Sequence, residues 1–143
     1  MLIFVLILFS ANINMAFTSK DTQITSKIAE LDTGISHGLK EPEKGGAKIV
    51  IQDIRLFNSL YRKIIKAVLS SKEQELHNKK VQLAEIVVKS HPHFIKLQVD
   101  EERLVREGRW GEADLKSLKH LFNEAQELKS KLESFLRKHK RTS

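Results

Sequence analysis

The sequence predicts an all-α protein, an antiparallel three- or four-helix bundle that follows a signal peptide and a flexible N-terminal arm. Three observations carry this expectation. Beyond residue 47, apolar residues recur at steps of three and four over long stretches. Breakers are scarce, with 2 prolines and 6 glycines in 143 residues, and Gly34, Gly38, Gly45 and Gly46 share one short segment. Leu, Lys, Glu and Ile dominate while aromatics make up only 6%, a balance that favours helix over strand.

Residues 1–19 read as the signal peptide. The first seventeen, MLIFVLILFSANINMAF, carry no charge, and Leu2 to Phe9 are uninterruptedly apolar, the length of a signal hydrophobic region. Ser10, Asn12 and Asn14 interrupt the run well before the roughly 20 apolar residues of a spanning helix. Cleavage is expected between Ala16 and Ser19, and the mature chain is expected to be secreted. Residues 20–47 (KDTQITSKIAELDTGISHGLKEPEKGGA) mix polar residues with Gly and Pro, and read as a flexible arm or propeptide with at most a helical turn at Ile28 to Leu31.

Residues 48–140 are expected to form the helical domain. In a first helix over about 47–70, Val50, Ile54, Phe57, Tyr61, Ile64 and Val68 fall on one stripe. Ile51, Leu60, Ile65 and Leu69 widen it, so this helix should be the most buried. A second, about 72–90, starts after a Ser70–Glu73 capping box and shares a face through Leu76, Leu83, Ile86 and Val87, with Val81, Ala84 and Val88 beside it. Ser90-His91-Pro92 breaks it, and Pro92 is expected to start a third helix running to about Glu107. Gly108 and Gly111 bracket Trp110 and end that helix; Trp110 itself reads as a plug where two helices meet, or else as a partner anchor. The fourth, Glu112 to about Lys138, has the cleanest pattern: Leu118, Leu121, Ala125, Leu128, Leu132 and Phe135 step by three and four, with Leu115, Phe122 and Leu136 alongside. Residues 141–143 are a tail.

Composition excludes several chemistries. There is no cysteine, which removes disulfides, thiol nucleophiles and thiolate metal sites. No nucleophile elbow or phosphate-cradling glycine loop occurs. Asp100-Glu101-Glu102 are consecutive on a helix, so they diverge by about 100° each and read as a solvated face. His91-Pro92-His93 is the only close histidine pair, and with no acidic residue beside it in the sequence it reads as a loop. His77, His120 and His139 read as dispersed surface residues. No catalytic residue, metal ligand or cofactor is therefore expected.

The formal net charge of +7 resides beyond residue 19, with an excess of +3 on each of residues 49–71 and 112–143. Arg137, Lys138, Lys140 and Arg141 form a basic end suited to anionic membrane, glycan or another polyanion; nucleic acid is disfavoured because aromatics are not interleaved with the charges. Short leader, absence of cysteine and layout from about Leu56 to His139, with a charged middle helix (SKEQELHNKKVQLAEI) and a Leu/Lys-rich last helix (DLKSLKHLFNEAQELKSKLESFLRK), resemble the group 5/21 allergens of mites. That resemblance implies a secreted antiparallel three-helix bundle that dimerises around a hydrophobic cavity, and it carries over no functional residue. The leading expectation is a non-enzymatic protein that binds a lipid or other apolar ligand, or associates with itself or a protein partner, through Phe57, Tyr61 and Ile64 on one helix and Leu121, Leu128, Leu132 and Phe135 on another. The alternative is a basic effector that adheres to an anionic surface.

Overall fold

The structure, a computed structural model, describes residues 19–70 and 74–142. The signal-peptide expectation and the capping box at residues 70–73 lie outside them. Among the described residues there are only helices: α1 (Ser19–Lys40), α2 (Ala47–Ser70), α3 (Gln74–Ser90), α4 (Glu101–Gly108) and α5 (Glu112–Thr142), with 3-10 turns at Pro42–Lys44 and Phe94–Lys96. The all-α expectation holds. None of these helices is long and apolar enough to cross a membrane.

Helix α2 is the hub. It packs against α5, α1 and α3, while α3 also packs on α5. The six stripe residues of α2 are all at most 3% exposed, as their spacing requires. Asn58 shares this burial, and its amide donates 3.3 Å bonds to the Leu121 carbonyl and the Glu124 carboxylate. Helix α5 contributes Leu118, Leu121, Ala125, Leu132 and Leu136 to the same core.

Three expectations are corrected. The first concerns the arm: residues 20–47 are mostly helix α1, with Ile28, Leu31, Ile35 and Leu39 buried against the core. Gly38 makes the close approach possible, since a Cβ there would stand 2.7 Å from Val50 Cγ2. Arg103 then reaches the turn after α1 through Glu43 at 3.6 Å while pairing with Glu107 at 2.6 Å. The second concerns residues 92–100. They are not helical apart from the 3-10 turn; Asp100 caps α4 by accepting from the Arg103 amide, so the helix starts only at Glu101. The third concerns Ile86 in α3. Leu83 and Val87 of the expected face are buried together with Val81 and Ala84 beside it, and Val88 is partly buried, but Ile86 points outward.

Trp110 is a plug. It is 2% exposed, and it packs with Pro42 so closely around Gly108 that a Cβ there would meet both at 2.8 Å. Arg109 adopts the left-handed conformation that ends α4, and the Trp110 amide donates back to the Leu104 carbonyl.

Candidate functional site

Two places gather chemistry. The first is buried between α1 and the segment after α3. Asp32 is 1% exposed on the core side of α1. Its Oδ1 accepts the His93 and Phe94 amides at 2.8 and 3.1 Å. Its Oδ2 lies 2.9 Å from the His93 amide, 2.8 Å from His91 Nδ1 and 3.0 Å from His93 Nδ1. Burial alone would raise this carboxyl, yet the hydrogen bonds from His91 and from the two amides outweigh it and hold the group below its ordinary value. An ionised carboxylate only accepts, so an imidazole bonded to it through Nδ1 does so in the tautomer that carries the proton there. The His91–Pro92 peptide is cis, and Phe94 beyond it inserts between Phe57 and Phe122 with ring centroids 5.0 and 5.4 Å away. The loop reading of His91-Pro92-His93 rested on there being no acidic partner. That premise fails, because Asp32 arrives from 59 residues away, a separation invisible to local spacing.

The second place is the solvent-facing seam between α2 and α5. Near the end of α2, two adjoining depressions of about 240 and 590 Å³ share Ile65, Leu69 and Lys131. Val68, Leu128, Leu132 and Phe135 complete the apolar floor. Arg62, Lys66, Lys131 and Lys138 stand around it, and among the described residues no acidic one lines either depression. Arg62 is tied to Glu124, whereas Lys66 and Lys131 have no ion pair among the described residues. Leu69, 57% exposed, is the residue of the widened α2 stripe that the core leaves uncovered. Toward the start of α5 the same seam continues as an open cleft bordered by Arg55, Arg62, Lys116, His120 and Glu124.

The residues expected to bind an apolar ligand divide accordingly. Phe57, Tyr61, Ile64 and Leu121 are buried in the core, Leu132 is buried but borders the groove, and Leu128 and Phe135 are partly buried on its floor. Tyr61 stacks on Phe57 at 5.6 Å, and its hydroxyl has no partner among the described residues; burial pushes its ionisation well above the usual value. Of the basic end, Arg137 is exposed and Lys138 borders the groove; the side chains of Lys140 and Arg141 lie outside the described part. His77 and His139 are not dispersed: their rings stand 5.2 Å apart across α3 and α5. Asp100, Glu101 and Glu102 are exposed as expected, and Glu101 pairs with Lys119 at 3.1 Å.

No protein-family model, curated protein or solved structure matches this chain, so no comparison bears on the resemblance to the mite group 5/21 allergens.

Proposed function

We propose that the protein is a secreted, non-enzymatic bundle of antiparallel helices that binds an anionic amphiphile, such as a long-chain fatty acid, in the groove between α2 and α5. One observation carries the reading: the groove combines an apolar floor with a basic border and, among the described residues, no acidic lining residue. An alkyl chain on Ile65, Leu69, Leu128 and Phe135 would leave water, while its carboxylate would meet Lys66 or Lys131. A neutral apolar ligand would gain nothing from that border, and a polyanion alone would gain nothing from the floor.

The test is titration of the full chain with a fluorescent polyene fatty acid. Leu128→Asp should abolish saturable binding. Lys131→Glu should weaken it about tenfold, the equivalent of roughly 1.4 kcal/mol. Absence of saturable binding, or indifference to both substitutions, overturns the reading.

A second reading, adhesion to an anionic surface, draws on the cleft farther along the seam, where Arg55, Arg62, Lys116 and His120 outnumber the one acidic lining residue, Glu124. Binding to phosphatidylserine vesicles that collapses with salt, in a chain that takes up no free fatty acid, would select it. Self-association through the same groove would instead show as a dimer by light scattering, dissociated by Leu128→Asp.

A further inference from the structure

We propose that Asp32, His91 and His93 form a zinc site that clips α1 to the segment following α3. The three ligand atoms, Asp32 Oδ2 and the two Nδ1 atoms, come from two distant parts of the chain and lie within 4.8 Å of one another. Two imidazoles aim the same ring nitrogen at the same carboxylate oxygen, at 2.8 and 3.0 Å. In a tetrahedral zinc site with bonds of about 2.0–2.1 Å, neighbouring ligand atoms stand about 3.3 Å apart. The two Oδ2–Nδ1 distances thus need to open by only a few tenths of an ångström, while zinc takes the place of the two Nδ1 protons and each ring stays neutral with its proton on Nε2.

The surroundings are those of a ligand set held in place. Oδ1 is anchored by the His93 and Phe94 amides, which orients Oδ2 toward the rings; ligating carboxylates are commonly braced in this way. The side chain of His93 is 67% exposed, that of His91 19% and that of Asp32 2%. A cation therefore enters from the His93 side without disturbing the core. Two imidazoles and one carboxylate suit zinc over calcium or magnesium, which take all-oxygen shells. Three protein ligands leave the fourth position to water.

The experiment uses the full chain, stripped with a chelator and titrated with zinc chloride against a chromophoric zinc indicator. One zinc per chain is expected, undisturbed by millimolar magnesium or calcium. His93→Ala, at an exposed position, should weaken binding at least tenfold with an unchanged far-ultraviolet spectrum. His91→Ala should do the same. Cobalt should give the visible absorption of a four-coordinate site in the parent chain and lose it in His93→Ala. The proposal is overturned if zinc does not bind, if His93→Ala binds it as tightly as the parent, or if binding is lost instead in His77→Ala, which would place the ion at the His77–His139 pair.

Discussion

Two glycines of α1 provide a matched test of whether this helix belongs to the core. Gly34 and Gly38 lie one turn apart in the same helix, so Gly→Ala should raise helix propensity at both, by up to roughly 1 kcal/mol in a helix interior. A Cβ at Gly34 meets nothing within 4 Å, and Gly34→Ala should keep that gain, about 0.5–1 kcal/mol. At Gly38 the new Cβ falls 2.7 Å from Val50 Cγ2, roughly an ångström inside normal carbon contact. Val50 is 3% exposed and β-branched, so its χ1 cannot swing away freely. Overpacking of this kind costs about 1–3 kcal/mol, and Gly38, two residues from the end of α1, recovers less of the propensity gain. Gly38→Ala should therefore be less stable than Gly34→Ala by about 1–3 kcal/mol. Urea denaturation followed by far-ultraviolet circular dichroism measures that difference. If Gly38→Ala equals or exceeds Gly34→Ala in stability, α1 does not pack on α2 as described.

Other consequences are checked by the same assay. Asp32→Ala, measured in chelator, strips the acceptor from two amides and both imidazoles; with buried donors left unpaired at roughly 1–3 kcal/mol each, a loss of about 3 kcal/mol is expected, and one below 1 kcal/mol would refute the clamp. Tyr61→Phe removes a buried hydroxyl that has no partner among the described residues and should be neutral or stabilising by up to about 1 kcal/mol. Tyr61 is the only tyrosine, and burial raises its ionisation in the folded state. Above its ordinary value near 10 the unfolded chain loses this proton before the folded one does, so Tyr61's contribution to stability is complete below pH 10 and declines above it. Tyrosinate absorbance should appear only together with unfolding; earlier ionisation would contradict the burial.

Helices α2 and α5 were legible because each carries six apolar residues in unbroken three–four steps, and tertiary packing only had to accept the stripe. Helix α1 carried the same signal in Ile24, Ile28, Leu31, Ile35 and Leu39. Glycine weakens that pattern in the sequence, whereas in the structure Gly38 admits Val50. The segment after Pro92 misled for a different reason. A proline can open a helix, but here the following amides are spent on Asp32, an acceptor 59 or more residues away in sequence that no local rule supplies. The groove was partly legible: Leu128, Leu132 and Phe135 were singled out, but which face of α5 stays uncovered depends on how α2 and α5 pair.

The position of the Asp32 cluster bears on how a cysteine-free chain of this size holds its first helix. Small domains lacking a large core are usually stapled by disulfides or metals, and this one has no cysteine to use. Asp32 and His91 are 59 residues apart, and a covalent cross-link over such a loop would stabilise by about 4 kcal/mol in the chain-entropy account. Hydrogen bonds alone close that loop only in the folded state and gain no such advantage, because the unfolded chain is not constrained by them. Zinc differs from a disulfide in the same respect: it stabilises through preferential binding to the folded state, so its effect must grow with free zinc, about 1.4 kcal/mol for each tenfold above the dissociation constant. A midpoint of unfolding that climbs logarithmically with zinc in the parent chain and stays level in His93→Ala would identify the clip as the staple. A midpoint independent of zinc in both would leave α1 held by Ile28, Leu31, Ile35 and Leu39 alone, with the Asp32 hydrogen bonds serving to orient the 91–94 segment.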